Sequence, residues 1–88
     1  MKEILSKASI VDVRTPSEFG DGHYPGAINI PLNELPQRLD EFKDMKKPIV
    51  AYCRSGARSG MAVSLLKQNG FNEVYNAGGL SDLYNLNA

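Results

Sequence analysis

The residues able to do covalent chemistry converge on one short run, Cys53-Arg54-Ser55-Gly56-Ala57-Arg58-Ser59. Cys53 is the only cysteine of the chain, and it directly follows the apolar run Ile49-Val50-Ala51-Tyr52. A thiol at the C-terminal end of a strand, on a loop of small residues that opens a helix, is placed to act as a nucleophile. Loop amides can turn toward it, the helix N-terminus carries partial positive charge, and two arginines stand within reach. Each of these favours thiolate over thiol, and the thiolate is the reactive form. A lone cysteine is more often a small buried hydrophobe. Burial here is expected to desolvate Arg54 and Arg58 as well, which is costly without partners, so the neighbours argue for a functional thiol.

The surrounding elements have to present that loop. Ser9-Ile10-Val11-Asp12-Val13 reads as a first strand, β-branched and largely apolar. Thr15-Pro16-Ser17-Glu18 has capping-box form, so a short helix is expected from Pro16 to about Gly20-Asp21-Gly22. Ala27-Ile28-Asn29-Ile30 reads as a second strand closed by Pro31. Leu32, Leu35, Leu39 and Phe42 recur at helical steps over residues 32–44, with a break expected at Pro36. Residues 49–52 form the third strand. The helix after Cys53 carries Ala62, Leu65 and Leu66 on one stripe and ends at Gly70, with Phe71 set to touch Leu66 in a Schellman-type ending. Asn72 to Tyr75 reads as a fourth strand, Gly78-Gly79 as a turn, and Leu80 to Leu86 as a last helix. This alternation argues for an α/β fold, a parallel sheet with helices on both faces. Ligands of such sheets bind beyond the carboxyl ends of the strands, and both Cys53 and Arg14 lie there.

Composition narrows the partners. The 88 residues make one domain, 1–88, burying about 60% of its unfolded surface. Ten basic and ten acidic residues cancel, which gives no reason to expect nucleic acid or an anionic membrane. One cysteine makes no internal disulfide, so a reducing, cytoplasmic setting is the default. The N-terminus shows no apolar signal region, and no stretch reaches transmembrane length. One His and one Cys give no zinc spacing, so neither metal nor cofactor is expected.

The count from Cys53 to Arg58 narrows the chemistry. Four residues separate them, and position 59 is Ser. Cysteine-dependent phosphatases place one residue more between cysteine and arginine, giving a wider amide ring for a phosphoryl group held bidentately by the arginine. The shorter cradle is better matched to one extra sulfur atom on Cys53.

At this point the chain resembles the rhodanese (thiosulfate sulfurtransferase) family. The loop 53–59 is similar to the family's active-site loop. Val11-Asp12-Val13-Arg14-Thr15-Pro16-Ser17-Glu18-Phe19 is similar to its first signature, and Gly22-His23-Tyr24-Pro25-Gly26-Ala27-Ile28-Asn29-Ile30-Pro31-Leu32 resembles its second. The resemblance implies a small three-layer α/β fold with a central parallel sheet of four to five short strands. It implies that Cys53 takes sulfur from thiosulfate or another sulfane-sulfur donor as a persulfide, then passes it to cyanide, a small thiol or a thioredoxin-like acceptor. Main-chain N–H groups of residues 54 to 58 (Arg54, Ser55, Gly56, Ala57, Arg58) are expected to cradle the persulfide, with Arg54 facing the donor and Arg58 holding the loop. Asp12, Arg14, His23 and Ser59 are expected to support the site, His23 by fixing the Gly22 to Gly26 turn rather than as a base. Tyr24, Tyr75 and Tyr84 are candidates for the mouth. Family members usually carry a longer lead-in, so residues 1 to 7 are expected to leave one sheet edge short or exposed. The alternatives are a persulfide carrier or protein-binding module with little turnover and, less favoured by the loop count, a phosphatase or arsenate reductase of related fold.

Overall fold

The structure, a computed structural model, describes residues 2–86, with side chains from Leu5 onward. Helix α1 (Lys2–Lys7) leads into β1 (Ser9–Asp12), and α2 (Pro16–Asp21) follows. Strand β2 (Ile28–Asn29), a 3₁₀ segment (Leu32–Gln37) and α3 (Leu39–Lys43) come next. Strand β3 (Ile49–Cys53), α4 (Ala57–Gln68), β4 (Val74–Gly79) and α5 (Leu80–Leu86) complete the order. Among the described residues the sheet is four-stranded and parallel, in the order β2-β1-β3-β4. The strand that ends at the cysteine is therefore central, and β2, one of the two edges, is two residues long.

Side-chain alternation along the strands divides the core into two layers. Val11, Ile49, Ala51 and Cys53 face one side, where they pack with Leu35, Phe42, Ala62 and Leu66 from the 3₁₀ segment, α3 and α4 and with Phe71 just beyond α4. Ile10, Val50 and Tyr52 face the other, against Leu5 of α1 and Leu83 of α5. Phe42, Leu35, Leu66 and Leu83 are fully buried, each contributing about 1.5–3 kcal/mol relative to exposure.

Local signals explain the element ends. Thr15 Oγ1 accepts from the Glu18 N–H while the Glu18 carboxylate accepts from the Thr15 N–H, a complete capping box at the start of α2. Pro36 has no N–H to give, and the segment winds as a 3₁₀ turn before the α-helix restarts at Leu39. At the end of α4, Gly70 is left-handed (φ 92°), its N–H donates to Lys67 O and the Phe71 N–H donates to Leu66 O. That is the Schellman pattern, with Phe71 and Leu66 in one cluster.

The fourth strand differs from its expected place. It spans Val74–Gly79 rather than 72–75, and Gly78-Gly79 closes the strand instead of forming a separate turn. Pairing with β3 at Val74, Tyr75, Asn76 and Gly79 carries the strand through residues of low strand propensity. The register shifts between Ala51 and Cys53 so that Cys53 pairs with Gly79, which brings the end of β4 beside the thiol.

Candidate active site

Cys53 is buried, 1% exposed, which corrects the expectation that its arginine neighbours keep it open. Both guanidinium groups escape desolvation by leaving the thiol. Arg54 is exposed, and Arg58 reaches sideways to Glu18. Small side chains close the loop over the sulfur instead.

Around Sγ the donors are the Gly56 N–H at 2.9 Å, the Ser59 N–H at 3.5 Å and the Ser59 hydroxyl at 3.4 Å. Burial pushes the thiol's pKa up, but the Ser59 hydroxyl and the N–H groups of Ser59, Gly56 and Ser55 outweigh it and bring the pKa down to about 7. The groups acting on Sγ are thus the N–H groups of Ser55, Gly56 and Ser59 and the Ser59 hydroxyl, so Ser59 touches the sulfur itself. Gly56 is left-handed (φ 102°) as N-cap of α4. A Cβ there would stand 3.2 Å from Gly78 Cα, so any side chain would meet both backbone strain and a crowded neighbour.

The end of β4 forms the wall behind the loop. Asn76 Oδ1 accepts from the Ser59 hydroxyl at 2.7 Å and from the Gly78 N–H at 2.9 Å, while Asn76 Nδ2 donates to Gly56 O at 3.1 Å. Asp82 of α5 accepts from the Gly79 N–H at 2.8 Å. A Cβ on Gly79 would overlap the Arg54 carbonyl. Sequence reasoning missed Asn76 and Asp82 because asparagine and aspartate beside paired glycines look like ordinary turn formers.

Behind the loop, the first strand supplies a buried ion pair. Arg14 Nη2 lies 2.6 Å from Asp12 Oδ2, and Arg14 Nε donates to both carboxylate oxygens. Arg14 also donates to Gly22 O at 2.7 Å. The Tyr52 hydroxyl donates to Asp12 Oδ2 at 2.8 Å and accepts from the Tyr24 N–H at 3.0 Å. Burial raises the Tyr52 pKa to about 12, so this link stays protonated. His23 sits within the turn of residues 22–26. Its ring stacks on Phe19 at 3.7 Å and its Nδ1 lies 2.9 Å from Phe19 O, which fits the Nδ1–H tautomer. It therefore ties the turn of residues 22–26 to the end of α2.

A cleft of about 530 Å³ opens beside the loop, lined by Arg14, Glu18, Asp21, Arg54, Leu80 and Tyr84 among others. Tyr24 is buried against Tyr84, with ring centroids 5.3 Å apart, and Tyr75 is exposed away from the cleft lining. Of the three tyrosines only Tyr84 forms part of this wall. Among the described residues no group of three His, Cys, Asp or Glu is placed to hold a metal ion, and no helix is long and apolar enough to cross a membrane.

A family model for the rhodanese-like domain matches residues 1–85. The chain belongs to the rhodanese-like family. The uncharacterized protein YqhL of Bacillus subtilis is 48% identical over 73 residues, covering 83% of this chain and 57% of that protein. This rhodanese-like domain thus spans a little over half the length of that relative. The thiosulfate sulfurtransferase PspE of Escherichia coli is 40% identical over 74 residues, covering 83% of this chain and 71% of the relative. Among solved structures, a rhodanese with anions from E. coli superposes with a TM-score of 0.78 at 39% identity, covering 85% of this chain and 89% of that one. These relatives support sulfur transfer as the general chemistry of the rhodanese-like fold seen here.

Proposed function

We propose that this domain is a thiosulfate sulfurtransferase working through a persulfide on Cys53. The Cys53 thiolate attacks the outer sulfur of thiosulfate. A new sulfur–sulfur bond forms, the donor's own sulfur–sulfur bond breaks, and its electron pair leaves on sulfite. An acceptor then attacks the outer sulfur and returns the thiolate. Cyanide leaves as thiocyanate and a thiol leaves as a persulfide, so the cycle is ping-pong and needs neither cofactor nor metal.

The observation that carries this reading is the sulfur's surroundings. Sγ is ringed by main-chain and hydroxyl donors and its pKa is brought to about 7, so thiolate is present at neutral pH without a base. In a dry site such fixed donors stabilise the anionic persulfide better than water does. Arg54, exposed on the cleft, attracts the anionic donor, and Arg58, held by Glu18, fixes the loop. Asp12, Arg14 and Ser59 support the loop from behind. The cytoplasm or another reducing compartment suits a free thiol that must cycle.

Burial of Cys53 at 1% exposure favours a second reading, a persulfide carrier that releases its sulfur only to a docked protein partner. One assay series separates the two. Sulfite release and thiocyanate formation, both lost in Cys53→Ser, support turnover. Sulfite release in a single burst without thiocyanate supports the carrier. Release of phosphate from an aryl phosphate without either product refutes both.

A further inference from the structure

We propose that Asn76 is a positioning residue that governs the protonation of Cys53 by competing with its sulfur for the Ser59 hydroxyl proton. The inference rests on the reading of Cys53 as a nucleophile. The Ser59 hydroxyl has one proton and several acceptors around it. Asn76 Oδ1 is nearest at 2.7 Å, Gly56 O lies at 3.2 Å, Cys53 Sγ at 3.4 Å and Gly78 O at 3.5 Å.

The Asn76 amide cannot flip to withdraw from this competition. Its Nδ2 donates to Gly56 O and its Oδ1 accepts from the Gly78 N–H, so a flip would set donor against donor and acceptor against acceptor. In the neutral state the Ser59 proton points to Asn76, and the Ser59 oxygen turns a lone pair toward the Cys53 S–H. When the thiol ionises, the sulfur becomes a charged acceptor and its hydrogen bonds strengthen. The Ser59 hydroxyl then rotates to it. Asn76 Oδ1 keeps the Gly78 N–H, so no buried group is orphaned. Two hydroxyl orientations are thereby matched to two charge states, and Asn76 holds back ionisation by favouring the first.

The test is a double-mutant cycle read by the pH dependence of iodoacetamide alkylation, which reports on Cys53 alone because the chain has one cysteine. Ser59→Ala raises the midpoint. Asn76→Ala lowers it and speeds alkylation about threefold at a pH below the midpoint, the scale of half a pKa unit. In the Ser59→Ala background, Asn76→Ala has no such effect. Looser holding of Gly56 by the lost Nδ2 bond acts in both backgrounds and cancels. The charged groups near the loop also cancel, being unaltered by either change: Arg54 and Arg58, Asp12 and Arg14 of the β1 end, Glu18 of α2 and Asp82 of α5.

An equal shift in both backgrounds, or no shift, overturns the proposal. If Asn76→Ala does not fold, Asn76→Asp replaces it. Its charge raises the midpoint in both backgrounds, and the rise is larger with Ser59 present. An equal rise contradicts the proposal. Persulfide loading is measured separately, so loading without coupling sinks only the role of Asn76, and coupling without loading sinks the sulfur-transfer reading.

Discussion

Glu18 and Arg58, 40 residues apart, are joined by two N–H···O bonds of 2.7 and 3.1 Å that tie the first turn of α2 to the helix opening behind Cys53. The same carboxylate closes the α2 capping box through Thr15. One side chain thus caps the start of one helix and anchors the start of another.

Replacing it with the neutral amide, Glu18→Gln, weakens the fork without removing the cap's shape. Sulfur transfer is expected to fall about tenfold, as for a loosened loop with its nucleophile intact. The Arg58 guanidinium, followed by the Thr15 N–H, lowers the Glu18 pKa to about 2. A depressed carboxylate adds stability that is fully present above its unfolded pKa of about 4.3 and is lost as pH falls toward the folded value. Urea midpoints of the two proteins should therefore differ at neutral pH and converge near pH 2. A constant difference across that window contradicts the pairing.

Cys53 follows the same sign. Its folded pKa of about 7 lies below the ordinary thiol value, so alkylation should rise with pH through a midpoint near 7. After unfolding in urea the midpoint should move to about 8.5. An identical midpoint in both states means that the loop donors do not act on the sulfur.

Arg54 and Arg58 should separate kinetically. Arg54→Ala is expected to slow loading from thiosulfate about three- to tenfold, with the loss shrinking at high salt because the charge is exposed. Reaction of the preformed persulfide with a neutral thiol should change less. Stopped-flow traces of the two half-reactions check this, and equal slowing of both removes the donor-facing role.

The Asp12–Arg14–Tyr52 cluster is a matter of stability. Asp12→Ala leaves the buried Arg14 guanidinium without its carboxylate, with only the Gly22 carbonyl still accepting from it, and should cost about 3–5 kcal/mol. Tyr52→Phe removes one hydroxyl and orphans the Tyr24 N–H, for about 1–2 kcal/mol. Urea unfolding measures both, and a smaller cost for Asp12→Ala than for Tyr52→Phe contradicts the ordering.

What could be read from the residues alone was mostly local. The Thr15–Glu18 cap, the Gly70–Phe71 ending and the strand-to-helix loop at Cys53 each depend on neighbours within a few positions, and their signals survive folding. Contacts that depend on distant segments were not legible. The run 76–79 contains glycine and asparagine, poor strand formers, and only pairing with β3 extends it. Tyr52 read as one more apolar strand residue, because the partner of its hydroxyl lies 40 residues away. The burial of Cys53 was missed for a similar reason. Arg54 and Arg58 are near it in sequence, but their side chains leave the loop for the cleft and for Glu18.

The most direct test of persulfide chemistry at Cys53 is intact-mass spectrometry after incubation with thiosulfate. One added sulfur atom per chain is expected, located on the peptide containing Cys53, removed by cyanide and absent in Cys53→Ala. An unchanged mass in the folded protein, or a sulfur adduct that persists in Cys53→Ala, contradicts it.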